Sequence, residues 1–161
     1  MTTLARTRAL TLEEWCVLAE AVALTPVAAV AVRLATLPGA AAVVQSVNFS
    51  RSGSRTKPRD VTLAPGRLSA LVEFGASRLS VRCLVRAIVL QAVLRRRGIW
   101  ADVVVGTTPN VPQPAAGDDS VSRIAAHAWV EYGGTVLMGA TSVSYVPLYR
   151  LSGDPGAGVA A

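Results

Sequence analysis

The stretch from Ser80 to Gly98 constrains the fold more than any other, because both ends of a helix are written into it. Ser80 reads as a cap for a helix that begins at Val81 and continues through Arg97. Val81, Leu84, Val85, Ile88 and Ala92 recur at the spacing of one apolar stripe. Arg95, Arg96 and Arg97 fill the last turn, where cations offset the negative end of the helix dipole, and Gly98 supplies the left-handed residue that ends it. A helix of this kind must bury its stripe against another layer.

The residues after it supply strands for that layer. Ile99 to Val105 is a short run rich in β-branched residues that ends at Gly106, and 107–122 reads as a loop rich in Pro, Asp and Gly. Ala128 to Tyr132 and Thr135 to Met138 flank Gly133-Gly134, the pattern of a β-hairpin with a two-residue turn. Upstream, Thr11 before Leu12, Glu13 and Glu14 reads as a cap with acids in the first turn of a helix running to about Leu24. Thr25-Pro26 fits a second cap, with a second helix to about Leu34 stopped by Pro38-Gly39. Both helices are apolar on most faces, so they must pack on the rest of the chain or on a partner.

Helices followed by strands make the fold α+β: a helix on a small antiparallel sheet, with an N-terminal helical extension. The expected division is a helical region over 1–50, a basic linker over 51–67, a core over 68–151 and a disordered tail over 152–161. The 161 residues are 52% hydrophobic but only 5% aromatic, so the core is built from Ala, Val and Leu layers. The linker reads either as a solvated loop or as a contact for an acidic peptide.

Fifteen Arg and one Lys against 10 acids give a net charge of +6, which suits an acidic partner, nucleic acid or an anionic membrane. Basic and aromatic residues do not interleave and no recognition helix is evident, which argues against nucleic acid. Pro26 and Pro38-Gly39 divide the apolar region from Val17 to Val47, so no unbroken segment of spanning length is expected, though peripheral membrane association stays open. No signal-peptide pattern is seen and there are two cysteines, Cys16 and Cys83, pointing to free thiols in a cytoplasmic chain. No Cys/His grouping has metal-ligand spacing and no Gly-rich phosphate loop occurs, so neither a metal nor another cofactor is expected.

Cys83 falls in the first turn of the Ser80–Gly98 helix, where the positive end of the dipole favours a thiolate, the nucleophilic form. The same residue also fits a small buried hydrophobe among Val, Leu and Ile. His127 is the single histidine, so imidazole chemistry must use it, and it opens a strand directly after a polar loop. A lone histidine is otherwise a structural residue. Trp129, two residues on, shares its face and reads as a substrate contact or as core packing. Cys16 sits mid-helix and reads as packing.

Cys83-Leu84-Val85-Arg86, the exit Leu94-Arg95-Arg96-Arg97-Gly98-Ile99, and Ala126-His127-Ala128-Trp129-Val130-Glu131 before a glycine turn resemble the stand-alone leader peptidase of lasso-peptide biosynthesis, of the transglutaminase-like superfamily. The resemblance is close over 79–148. It implies a papain-like or transglutaminase-like cysteine peptidase, with Cys83 attacking the scissile carbonyl and His127 as base and then acid. It further implies a precursor leader peptide as substrate, a separate leader-recognition protein and a lasso cyclase acting afterwards. A non-catalytic peptide-binding subunit of the same fold is the competing reading. Transglutaminase-like proteins orient the histidine with an acid on the next strand, and the position that aligns with it, near Gly139, is not acidic. Glu131 is too distant along its own strand for direct contact, which leaves Thr141, Ser142 or a backbone carbonyl to hold the ring.

Overall fold

A computed structural model describes residues 10–47, 63–79, 81–108 and 126–154. Four helices, α1 (Leu12–Leu34), α2 (Leu37–Ser46), α3 (Pro65–Ser77) and α4 (Cys83–Arg95), precede four strands, β1 (Asp102–Thr107), β2 (Ala126–Tyr132), β3 (Thr135–Met138) and β4 (Val146–Leu151). The strands form one antiparallel sheet in the order β3-β2-β1-β4. This is the α+β arrangement expected from the sequence.

Helix α1 differs from expectation: it runs unbroken through Thr25-Pro26. Its start is the predicted one, a capping box in which the Thr11 hydroxyl accepts from the Glu14 amide at 3.2 Å and the Glu14 carboxylate accepts from the Thr11 amide at 2.8 Å. Leu24, Thr25, Ala28 and Ala31 are all buried on one side, so the helix gains more by continuing than proline costs, about 3 kcal/mol. Pro26 itself lies on the exposed side, and the Thr25 hydroxyl donates back to the Ala21 carbonyl at 2.7 Å. Pro38-Gly39 likewise does not end the helical region. Pro38 sits in the first turn of α2, where no amide is required, and Ala40, Ala41 and Val44 are buried.

The proposed linker is shortened at its end, since Pro65, Gly66 and Arg67 open α3; its earlier part, to residue 62, lies outside the described residues. Arg67 is held by Glu14, with Nε donating at 2.6 Å. Gly75 lets α3 approach α1 closely: a Cβ there would meet Leu18 Cδ1 at 3.0 Å. The Ser69 hydroxyl donates to the Leu137 carbonyl at 2.7 Å, joining α3 to β3.

Helix α4 begins at Cys83, two residues later than expected, and its cap Arg82 makes no side-chain bond; Ser80 lies outside the described residues. Every residue from Ala87 to Leu94 is buried, so α4 is a central helix packed on α1, α2, α3 and the sheet rather than one with a single apolar stripe. Its small aliphatic residues allow that. At its end Gly98 is left-handed (φ 73°), with Ile99 and Gly98 amides donating to the Leu94 and Arg95 carbonyls at 3.1 and 2.9 Å. The three arginines do more than offset the dipole. Arg96 and Arg97 bind Glu20 of α1 at 2.7 and 2.9 Å, Arg96 also donates to the Val44 and Val47 carbonyls at the end of α2, and Arg95 binds Gln45.

The hairpin turn is as expected, with Gly133 and Gly134 both at positive φ (55° and 78°). Strand β4 has no counterpart among the strands expected from the sequence. Its register with β1 shifts between Val105 and Gly106, and it carries the chain back along that strand. The start of the expected tail is docked rather than loose, because the Gly153 amide donates to Asp102 at 3.1 Å and Gly153 is buried against Ala101. One hydrophobic cluster joins α1, α2, α3, α4 and one face of the sheet through Ala101, Val103, Ala128, Val130 and Met138. The N-terminal helices therefore share their core with the rest of the chain.

Candidate active site

Helix α4 is fixed along the sheet by Gln91, whose buried Nε2 donates at 3.1 Å to both the Ala101 and Leu151 carbonyls. Eight residues back along the helix, about 12 Å, lies Cys83. A similar length of β1 from Ala101 reaches Val105 and Gly106, whose partners across the pair are Ala128 and His127. The helix N-terminus and the His127 end of the sheet thus lie at the same end of the two packed layers. Cys83 is the first residue of α4, half-buried against the core cluster, with its thiol free.

Pleating decides which way each side chain on β2 points. Ala128 and Val130 face the helices, so His127, Trp129 and Glu131 face the other way. Among the described residues, no hydrogen bond joins Cys83 to His127. The imidazole is instead held on the outer face, where its Nε2 lies 2.7 Å from the Gly139 carbonyl. A carbonyl only accepts, so Nε2 carries the proton of the neutral ring and Nδ1 keeps its lone pair as the basic nitrogen. Of the candidates expected to hold the ring, the one in contact is a backbone carbonyl, that of Gly139, the position near which an acid was sought.

Gly139 is required there for two reasons. Its φ of 83° is unfavourable for other residues, and a Cβ would lie 3.0 Å from both the Ala128 carbonyl oxygen and Trp129 Cβ. An aspartate could not enter without moving β2.

The imidazole ring is also stacked. Tyr145 lies 5.0 Å away with its plane inclined by 30°, and Trp129 lies 6.2 Å away at 18°. Trp129 is buried, and its six-membered ring fills the space over Gly106, where a Cβ would lie 2.8 Å from Cη2. The indole Nε1 donates to Glu131 at 2.6 Å; Glu131 in turn accepts from Arg150 at 2.7 Å, and Arg150 donates to Asp102 at 3.0 Å. Burial works against charge on Glu131, but the bonds from Trp129 and Arg150 outweigh it and hold the carboxyl below the ordinary glutamate value. Glu131 does not touch His127, as its distance along the strand required, yet it reaches the ring through Trp129.

Sequence reasoning missed Tyr145 and Arg150, and it offered a backbone carbonyl for the ring without saying that it was that of Gly139. The first two depend on β4, Val146–Leu151, which contains a proline and carries no alternation of apolar and polar residues, and on the segment that leads into it. A carbonyl's role leaves no trace in residue identity. Cys16, half-buried with a free thiol, was expected in mid-helix but is the fifth residue of α1, because that helix continues to Leu34. Among the described residues no group of three His, Cys, Asp or Glu side chains is placed to hold a metal.

A thiol at the start of a central helix, packed on an antiparallel sheet that bears the histidine, defines an α+β architecture of the papain and transglutaminase type. A family model described as the transglutaminase-like superfamily matches residues 21–150, and the chain belongs to that superfamily, whose fold generally serves cysteine peptidases and transferases. The match begins inside α1, in keeping with a core shared by all four helices. Neither a curated protein nor a solved structure shows significant similarity to the chain.

Proposed function

We propose that the chain is a cysteine peptidase that removes the leader from a lasso-peptide precursor. The observation that carries this reading is Cys83 at the first position of α4, together with an imidazole whose Nε2 is tied to the Gly139 carbonyl so that Nδ1 is the free base. In the reaction, Nδ1 takes the thiol proton as Sγ bonds to the scissile carbonyl carbon. The proton then passes to the departing amine and leaves a thioester. Water, deprotonated by the same nitrogen, releases the leader carboxylate and restores the thiol. The product is a core peptide with a free N-terminal amine, which a cyclase can join to an acidic side chain. A separate recognition protein presents the leader, and the two free thiols suit the cytoplasm. The reading requires Nδ1 and Sγ to meet at the shared end of helix and sheet once substrate is seated, as catalytic hydrogen bonds often tighten only in the complex.

A second reading, a peptide-binding subunit without catalysis, draws on the placement of His127 on the face turned away from α4. Replacing Cys83 by Ala separates the two. Leader removal, assayed with precursor and recognition protein present, is expected to disappear in the variant, and undiminished cleavage would refute the peptidase. Labelling with a mild thiol reagent at neutral pH is expected to modify Cys83 faster than Cys16; equal rates favour the binding subunit.

A further inference from the structure

The outer side of α1 is an apolar surface, among the described residues, that the site leaves unexplained. Leu12, Trp15, Ala19, Val22, Pro26, Val30 and Leu34 are all exposed, with Leu12 at 79%, Val30 at 55% and Leu34 at 81%. At 3.6 residues per turn they fall within an arc of about 120° along a helix about 35 Å long. The stripe is apolar except for Arg33 near its C-terminal end. It exposes on the order of 500 Å² of apolar side chain, at the upper end of what a monomer usually leaves in water.

Three observations say what covers it. The spacing of three and four residues from Leu12 to Pro26 is the seam one helix offers to another. The stripe also reads nearly the same from either end: reversed about residue 23, Leu12 falls on Leu34, and Trp15, Ala19, Pro26 and Val30 each fall within one residue of another exposed position. Finally, Glu14 and Glu20 are held by Arg67, Arg96 and Arg97, which leaves Glu13 near one end of α1 and Arg33 near the other, the two charges that an antiparallel copy brings together.

By length and composition α1 is also long and apolar enough to cross a bilayer, but its other side is buried against α2, α3 and α4. We infer that this stripe is covered by the same stripe of a second copy, the two α1 helices running antiparallel about a two-fold axis near Val22. In that pair Leu12 faces Leu34, Trp15 faces Val30 and Ala19 faces Pro26. The end bearing Glu13 lies near the end bearing Arg33, and the helix dipoles oppose. Two copies together bury about 1,000 Å², the lower bound for a specific interface, so the dimer dissociates on dilution. This inference does not depend on the proposed reaction.

Sedimentation velocity of the full chain over a hundredfold concentration range tests it, with a concentration-dependent dimer expected. Val30→Glu and Trp15→Arg each set an unpaired charge against an apolar partner, and each is expected to weaken self-association at least about tenfold while leaving helix content unchanged. Mixing the two variants is expected to restore a heterodimer, because position 30 of one copy then meets position 15 of the other with opposite charge. A chain that stays monomeric throughout, variants that still dimerise, or a mixture that fails to pair would overturn the inference. So would a monomer that co-sediments with phosphatidylglycerol vesicles through the same residues, which would make the stripe a lipid contact.

Discussion

Replacing Gly139 by Ala tests whether the backbone at this residue is what holds the imidazole. An alanine forced to φ 83° costs about 1 to 2 kcal/mol. Its Cβ would lie 3.0 Å from the Ala128 carbonyl oxygen and Trp129 Cβ, and 3.1 Å from Trp129 Cα. Two of those atoms are backbone and cannot swing aside, which adds about 1 to 3 kcal/mol of overpacking. The expected loss is about 2 to 5 kcal/mol, large beside the 5 to 15 kcal/mol typical of a domain yet compatible with folding.

Urea unfolding measures that loss. Gly66→Ala is the control: Gly66 lies in the first turn of α3, a Cβ there would meet nothing within 4 Å, and alanine is expected to be neutral or to stabilise by about 0.4 to 1 kcal/mol. His127 is the one histidine, so nitrogen NMR of its ring reads the tautomer directly. The wild type is expected to carry its proton on Nε2, and the variant to lose that preference as the carbonyl shifts. If Gly139→Ala unfolds at the wild-type urea concentration with the Nε2–H tautomer intact, the backbone at Gly139 is not what holds the ring.

Gln91→Leu removes both N–H bonds that tie α4 to the Ala101 and Leu151 carbonyls, but it also removes the buried Oε1, which has no hydrogen-bond partner among the described residues. A net loss of about 1 to 3 kcal/mol in urea unfolding is expected, and a more stable variant would show that the bridge contributes nothing. Glu131 and Glu14 are both held below the ordinary glutamate value of 4.5, so each contributes stability above that pH and loses it as pH falls through its lower folded value. Unfolding midpoints are therefore expected to drop as pH is lowered below about 4.5, and Glu131→Gln to flatten that drop while lowering stability at pH 7. A Glu131→Gln variant with an unaltered acid profile would show that Glu131 has no part in the acid sensitivity.

What the sequence determined by itself was local. The Thr11 cap, the left-handed Gly98, the two-glycine hairpin and the helix start at Cys83 to within two residues all follow from interactions spanning a few neighbours, which residue types report directly. The scarcity of aromatics likewise implied a core of small aliphatic residues. Tertiary structure decided the rest.

Whether Pro26 ends a helix depended on how much of α1 is buried around it, not on proline's own preference. The exposed apolar stripe of α1 could be seen only once its other side had been packed. The partner of His127 is a carbonyl 12 residues away, delivered by a turn whose glycine is needed for its backbone angle and for the room beside Trp129. A backbone oxygen belongs to every residue alike. The sequence could mark the histidine and the thiol, but only the register of β2 and the turn after β3 could set which atom the ring is held by and which face it turns to.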